Sequence, residues 1–270
     1  MKVGRTDMAA ELLQGLDEDM TRENGLIVQK NEIDCCSLLT VEVTNERGAA
    51  LLGKSVGKYF TLTLPDSLPS LWRDCIDPLA GCIRSLLPYR FGCVLIAALG
   101  NPNITPDALG PLTAESILVT RHLKHDDPAF SSFGSVALCR TGVLGTGGIE
   151  SAAHIRALVS LIRPSLVIAV DALACRELDG LCKSVQISST GIAPGSGVGN
   201  DRECLNDATL GVPVISIGVP TVADLSPSSS LFVTPRDIDV QVRTTAKLIA
   251  YALNLTLHPA LTVQELESLL

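Results

Sequence analysis

The chain has 270 residues, of which 46% are apolar but only 3% are aromatic, and it carries a formal net charge of −8 at pH 7. This length can bury a substantial aliphatic core, in one large domain or two small ones. The negative charge argues against a nucleic-acid-binding surface, and the sequence contains neither a run of 18 apolar residues that could cross a membrane nor the apolar core of a secretory signal.

The first part of the chain mixes polar and alternating segments. Residues 1–34 are polar and charged and are predicted to form a helical or mobile leader. Alternating or β-branched residues predict strands over 38–43 and 59–64, with a turn at 46–48 between them. Apolar residues at three-to-four spacing predict a helix over 71–87.

Three continuous apolar runs, at 94–99, 166–170 and 213–217, are predicted to be strands. Helices are predicted over 113–123 and 149–162, between the first two runs. Short apolar runs separated by amphipathic helices are typical of parallel strands covered on both faces. The sequence therefore predicts an α/β fold with a mostly parallel, doubly wound sheet and helices on both faces.

The end of the chain is predicted to be helical. Apolar residues on one face predict a helix within 234–258, and a closing helix starts near Leu261. Ser226–Ser230 is the one low-complexity stretch, and it is too short to separate two domains.

Two aspartates follow predicted strands. Asp171 comes directly after the 166–170 run, and Asp107 lies in the loop after the 94–99 run. Each could simply cap a helix. In parallel sheets, however, ligands bind beyond the carboxyl ends of the strands, and two carboxylates brought together there can divide the acid and base roles in peptide hydrolysis.

Other polar or glycine-rich positions in the same loops are candidates for supporting this site. A phosphate cradle is one interpretation of the glycine-rich stretch 190–200, but its spacing matches neither Walker A nor the dinucleotide fingerprint. We favour a tight loop that lets backbone approach a peptide or a sister strand. Glu150 is either an acid in the first turn of a helix or a third active-site acid. The candidate supporting residues are Asn101, Glu150, Gly195, Ser196, Gly197 and Asn200.

Other chemistries find less support in the sequence. There is no Gly-x-Ser-x-Gly elbow for a serine hydrolase, and the Cys-x-x-Cys and His-Glu-x-x-His spacings of zinc sites are absent. His122 and His125 lie near two aspartates, but a solvated helix end explains them better than a metal cluster. We therefore expect no metal and no cofactor.

The nine cysteines are an odd number and fall mostly inside hydrophobic runs. In a chain of this length they are typical of buried thiols in a reducing cytosol. The vicinal pair Cys35-Cys36 could oxidise, but we favour a packing role.

Taken together, these segments resemble the germination proteases of endospore-forming bacteria. The strings Thr-Pro-Asp-Ala-Leu-Gly-Pro at 105–111 and Gly-Ser-Gly-Val-Gly-Asn at 195–200 are long and specific. The matching segments, in chain order, are 5–7, 41–43, 53–54, 105–111, 119–123, 167–174, 190–200, 209–214, 217–222 and 233–235.

The resemblance implies an endopeptidase of the spore cytoplasm that degrades small acid-soluble spore proteins and has a fold similar to the hydrogenase-maturation proteases and phosphorylases. It implies that Asp107 and Asp171 are the catalytic pair of an atypical aspartic peptidase. It also implies a self-processing zymogen, with a pro-segment 1–7 cut at Asp7-Met8, a single peptidase domain 8–270, and assembly into a homo-oligomer, a tetramer.

Two departures from the family pattern are visible. The leader before Arg5 is shorter than usual, and so is the stretch between Val222 and Val233. Two alternatives stay open: a metal-dependent peptidase of similar fold, in which Asp107, Asp171 or Glu150 holds a divalent ion, and a non-catalytic protein that binds spore proteins without cutting them.

Overall fold

A computed structural model describes residues 5–123, 130–199, 202–224 and 231–270. The strands are β1 (Leu26–Ile33), β2 (Cys36–Val43), β3 (Gly57–Thr63), β4 (Cys93–Leu99), β5 (Ser135–Gly142), β6 (Leu166–Cys175), β7 (Ser184–Ser188) and β8 (Val214–Ala223). The helices are α1 (Ala9–Leu12), α2 (Glu18–Glu23), α3 (Glu46–Leu52), α4 (Leu68–Leu71), α5 (Ile76–Leu86), α6 (Leu109–Ala114), α7 (Leu144–Gly147), α8 (Ser151–Ile162), α9 (Asp207–Leu210), α10 (Ile238–Leu257) and α11 (Val263–Leu269).

The eight strands form one mixed sheet in the order β1-β2-β3-β7-β8-β6-β4-β5. Strand β4 runs parallel to β5 and β6, and β6 runs parallel to β8. Strands β1, β2, β3 and β7 extend the sheet in antiparallel fashion, and β7 joins β8. The predicted α/β class is confirmed.

Helices cover both faces of the parallel strands. Successive strand residues point to opposite faces, so each strand contributes side chains to the core on either side. In β6, Ile168 and Val170 belong to the core cluster that includes α5 and α10, whereas Val167 and Ala169 pack in the cluster that includes α8. The continuous apolar runs of the sequence are therefore strands buried on both sides.

The N-terminal segment is more ordered than the sequence predicted. The prediction of a helical or mobile leader over 1–34 is wrong for residues 26–33, which form β1 and pair with β2. Most of β1 is exposed at the sheet edge, so its polar composition reflects solvent contact rather than the absence of a strand. The predicted turn at 46–48 instead opens α3, where the Asn45 side chain accepts hydrogen bonds from the N–H groups of Arg47 and Gly48.

Two predicted helices differ from the structure. The helix over 71–87 is divided into α4 and α5, and α5 starts only at Ile76. The helix over 113–123 is wrong, since α6 ends at Ala114. Beyond it the Asn254 side chain accepts from the Leu118 N–H at 2.9 Å and donates to the Ser116 carbonyl at 2.7 Å, which holds this stretch out of helical conformation.

The other boundaries agree to within a few residues for α8, α10 and α11. The sequence missed β5 and β7, and it ended β6 and β8 too early. The stretch Ser226–Ser230 lies outside the described residues. None of the helices in the described ranges is long and apolar enough to cross a membrane.

Candidate active site

Asp171 lies inside β6 rather than at its end. The strand continues to Cys175, so Asp171 caps no helix, and the capping alternative is wrong for this residue. Its side chain is only 5% exposed, and its Oδ1 accepts a hydrogen bond from the Ala172 N–H at 2.9 Å. A carboxyl group buried this deeply in a sheet carries a large desolvation cost when ionised.

Asp107 ends the 3₁₀ turn Thr105–Asp107 that precedes α6. The Asn101 N–H donates both to the Asp107 side chain, at 2.9 Å to Oδ2, and to its backbone carbonyl at 3.0 Å. Gly100 makes this approach possible, because its φ is 113° and a Cβ there would lie 2.0 Å from the Asp107 carbonyl oxygen. The loop after β4 therefore fixes the position of Asp107.

Two further contacts tie this turn to the neighbouring strands. The Thr221 hydroxyl of β8 donates to the Pro106 carbonyl at 2.6 Å. At Gly110, in the first turn of α6, a Cβ would lie 2.2 Å from the Leu99 carbonyl oxygen and 2.7 Å from that of Val170. Only glycine allows α6 to pack this closely on β4 and β6, which brings the Asp107 turn to the strand that carries Asp171.

Both aspartates line one cavity of about 260 Å³. Its wall also includes Arg202 and Gly195, together with Asp7 from the N-terminal segment. The structure thus brings together the two acids that the sequence placed on separate loops.

The two carboxyl groups differ in their electrostatic environment. Burial raises the pKa of Asp171 well above its usual value, and the charges of Asp107 and Asp7 raise it further. Burial also raises the pKa of Asp107, but the hydrogen bond from Asn101 and the Arg202 guanidinium act in the opposite direction. Burial and the neighbouring carboxylates thus raise the pKa of Asp171 more strongly than burial raises that of Asp107, and the two groups titrate as a coupled pair.

The N-terminal segment runs through the site as a bound peptide would. Asp7 donates its N–H to the Ala174 carbonyl at 2.9 Å, and its Oδ2 accepts from the Ala174 N–H at 2.9 Å. Its Oδ1 accepts from the Ser196 hydroxyl at 2.6 Å. Gly197 contacts the same carboxylate so closely that a Cβ there would lie 2.2 Å from Oδ2.

Two side chains, the half-buried Lys54 and the buried Gln186, donate to the backbone carbonyl of Asp7. Lys54 Nζ lies 2.8 Å from this oxygen, and Gln186 Nε2 lies 2.9 Å from it. Gln186 also accepts the Ala9 N–H at 2.6 Å, so it spans the Asp7-Met8 peptide bond. Burial lowers the pKa of Lys54, whereas the neighbouring Asp7 raises it.

The residues on either side of this bond have different environments. Asp7 also lines a second cavity of about 260 Å³, which contains Lys54, Gln186 and Ser196. Met8 is 3% exposed and packs in an apolar cluster with Leu173 and Ala223. An acidic side chain in a polar pocket thus precedes an apolar side chain in an apolar one.

The other residues predicted to support the active site differ in their position relative to the aspartate cavity. Gly195 lines the aspartate cavity, while Asn101 holds the Asp107 turn and its Oδ1 accepts from the Asn103 N–H at 3.0 Å. Glu150 is the residue before α8 and lines neither cavity, although its neighbour Ser151 does. Asn200 lies outside the described residues.

Lys54, Gln186, Arg202 and Thr221 were not predicted to be functional residues. Lys54 and Thr221 belong to segments that carry the family resemblance, 53–54 and 217–222, and this was a signal for both residues. Gln186 stands in a short strand among buried serines, and nothing in its local pattern distinguishes it. Its significance follows only from the sheet register, which pairs it with Gly218, itself the neighbour of Asp171.

The positions of the carboxylates in the aspartate cavity bear on the alternative hypothesis of a metal-dependent peptidase, in which Asp107, Asp171 or Glu150 holds a divalent ion. Glu150 is not in the cavity, so only two of the three carboxylates considered meet there. In the described part of the chain, three ligand atoms close enough for one ion occur only at Cys35, Cys36 and Cys75.

Sequence comparisons with known proteins agree on one family. The sequence profile described as "Germination protease" matches residues 3–230. A germination protease from Caldanaerobacter subterraneus subsp. tengcongensis is 37% identical over 98% of this chain and 98% of its own length. The germination protease of Clostridium tetani is 34% identical over 98% of this chain and 99% of its own length. That of Geobacillus sp. is 43% identical over 82% of this chain and 63% of its own length.

Among solved structures, the [NiFe] hydrogenase maturation protease HycI from Thermococcus kodakarensis KOD1 is similar over 64% of this chain and 98% of its own. The identity is 20% and the TM-score 0.38, too low to bear on the chemistry of this chain.

Proposed function

The chain belongs to the germination protease family of peptidases, and on that premise we propose that it is an endopeptidase that degrades small acid-soluble spore proteins in the spore core. We propose that it uses Asp107 and Asp171 to activate water. The observation that carries the proposal is that these two acids, with different proton affinities, line one cavity beside a docked peptide segment.

In the proposed mechanism a water molecule lies between the two carboxyl groups. Asp107, ionised, takes a proton as the water oxygen attacks the carbonyl carbon of the peptide bond. Asp171, protonated, supplies the proton that the leaving amide nitrogen needs when the bond breaks. The products are a carboxylic acid and an amine, with no change in oxidation state.

The contacts of Asp7 support a role for two further donors. In autocleavage the Asp7 carbonyl oxygen becomes the oxyanion, and Lys54 and Gln186 already donate to it at 2.8 and 2.9 Å. Donors placed at the oxygen where negative charge develops stabilise the transition state. The Ser196 hydroxyl and the Ala174 N–H bind the acidic side chain before the cut bond.

The same docking supports a zymogen. While Asp7 occupies the polar pocket and lines the aspartate cavity, a substrate with an acidic residue before its cleaved bond has no room there. Cleavage between Asp7 and Met8 would release residues 1–7 as the pro-segment and leave a single peptidase domain, 8–270.

The test uses the full-length chain and a purified small acid-soluble spore protein. We expect fragments of the spore protein and a new N-terminus at Met8, and neither with Asp107→Asn or Asp171→Asn. Asp179→Asn, which changes an exposed carboxylate on a surface turn, is the matched control and should retain both activities. Full cleavage by either active-site variant would contradict the aspartate mechanism.

Two further measurements separate the alternatives. Activity that survives exhaustive chelation excludes a metal-dependent peptidase, and binding of the spore protein without fragments supports a non-catalytic homologue. The family resemblance also leads us to propose a homo-oligomer, a tetramer, which sedimentation of the purified chain tests.

A further inference from the structure

Three thiols from distant parts of the sequence meet in the core, away from the aspartates. Cys35 lies in the two-residue turn between β1 and β2, Cys36 begins β2, and Cys75 directly precedes α5. Cys35 Sγ lies 3.5 Å from Cys75 Sγ and 3.9 Å from Cys36 Sγ, and the three sulfur atoms all lie within 4.8 Å of one another. None of the three lines either cavity that contains Asp7.

The spacing of these sulfur atoms suits a shared metal ion. With metal–sulfur bonds of about 2.3 Å, three thiolates around one ion lie about 4 Å from each other. The observed separations fall close to this value. They are far longer than the sulfur–sulfur bond of a disulfide, about 2.05 Å, and all three residues are free cysteines.

The setting of the thiols also suits metal binding. Cys36 and Cys75 are buried, at 2% and 0% exposure, while Cys35 is partly exposed and gives an ion a way in. Cys75 directly precedes the eleven-residue helix α5, so its position is fixed by a regular element of the core. The tight turn at Asp34, whose φ is 53°, holds the other two thiols against it.

We propose that Cys35, Cys36 and Cys75 form a binding site for a thiophilic d¹⁰ cation such as Zn²⁺, with three thiolate ligands. Binding replaces three S–H protons with three metal–sulfur bonds and releases the protons to solvent, with no electron transfer. The bound ion links the β1–β2 hairpin to the start of α5 and stabilises the folded chain. Local spacing could not reveal the site, because Cys75 lies 40 residues after Cys35.

The test uses Cd²⁺, whose bonds to thiolate give an ultraviolet charge-transfer absorbance that carboxylates do not produce. The full-length chain is prepared with Cys204→Ser, which removes an exposed thiol. After reduction and removal of the reductant under nitrogen, we expect about one Cd²⁺ per chain to be retained on gel filtration. We also expect the charge-transfer band and a rise in Tm, and Zn²⁺ should compete for the site.

Cys75→Ala should abolish the band and the Tm rise, and so should Cys35→Ala, a change at a partly exposed position that the fold tolerates more easily. Cys93→Ala, a partly buried cysteine on β4, is the control and should leave both unchanged. Retention of the band in the Cys35 and Cys75 variants would overturn the proposal. So would a parent chain, with Cys204→Ser alone, that binds no Cd²⁺, or one whose cluster reacts only by forming a disulfide.

Discussion

The ammonium group of Lys54 donates a hydrogen bond to the backbone carbonyl of Asp7 at 2.8 Å. This contact joins a half-buried cation to the peptide bond at which we expect the chain to cut itself. The second donor to the same oxygen, Gln186, is 8% exposed, so water competes little for the Gln186 hydrogen bond.

Lys54→Met should slow autocleavage roughly 100- to 1,000-fold, the usual effect of removing one oxyanion donor. The methionine keeps most of the packing volume but cannot donate. The rate is measured from the appearance of the Met8 N-terminus in purified chain. Lys58→Met, which removes an exposed lysine paired with Glu42, is the control, and an equal loss there would show that the effect is not specific to the Asp7 carbonyl.

Gly197→Ala should prevent Asp7 from docking, because the added methyl group would lie 2.2 Å from the Asp7 carboxylate and 2.6 Å from Ala174 Cβ. We expect autocleavage to be lost while the chain stays folded. Gly145→Ala adds the same group where nothing lies within 4 Å, and this variant should cleave normally. Mass spectrometry of both proteins after the same incubation decides the matter, and cleavage of both at equal rates would count against the docking.

Asp171→Asn should raise the thermal stability of the chain at neutral pH while it abolishes cleavage. The folded pKa of Asp171 lies above the usual value of 3.8, so between these two values the folded chain holds a proton that the unfolded chain has released. Stability therefore falls as pH rises through this window, and the neutral asparagine removes the penalty. The difference in Tm between variant and wild type should be largest near pH 7 and disappear near pH 4, whereas a pH-independent difference would contradict this assignment.

Autocleavage should show a bell-shaped pH profile, because it needs Asp107 ionised and Asp171 protonated. The acid limb reports the raised pKa of Asp107, and the alkaline limb reports the still higher pKa of Asp171. Arg202 lowers the pKa of both acids, so Arg202→Gln should move both limbs to higher pH. Single-turnover rates across the pH range test this, and a profile that stays unchanged would exclude Arg202 from the electrostatics of the pair.

Gly110→Ala should destabilise the chain by about 1–3 kcal/mol or more, as overpacking of a rigid core does. The added methyl group would meet the backbone of Leu99 and Val170, which cannot move without disturbing β4 and β6. Gly81→Ala, on the exposed face of α5 with nothing within 4 Å, should instead stabilise by about 0.5–1 kcal/mol. Urea unfolding of the two variants measures both effects.

The parallel strands were predictable from sequence because β4, β6 and β8 are buried on both faces and therefore appear as continuous apolar runs. The same argument placed Asp107 and Asp171 at one side of the sheet. The edge strand β1 was missed because most of it faces solvent. The short strand β7 was missed because it buries the polar side chains of Ser184, Gln186 and Ser188, of which Gln186 binds the N-terminal segment. Their local composition reflects these neighbours rather than their backbone conformation.

Interactions between distant parts of the chain account for the rest. Lys54 and Gln186 lie 47 and 179 residues from the oxygen that they share, and no local pattern connects them. For Glu150, a local pattern suggested a role that the structure does not support. Its position before a helix suggested an active-site acid, but the residue that lines the cavity at the start of α8 is Ser151.

The burial of Met8 determines where a new chain terminus would arise. Met8 packs against Leu173, which also lines the aspartate cavity, so a cut before Met8 would create an α-ammonium group at the border of an acid-lined space. Release of residues 1–7 would at the same time take away the Asp7 carboxylate, one of the charges that raise the pKa of Asp171. Both changes make the local potential more positive and favour ionised aspartates, so the precursor and the shortened chain should work best at different acidities, the latter at lower pH.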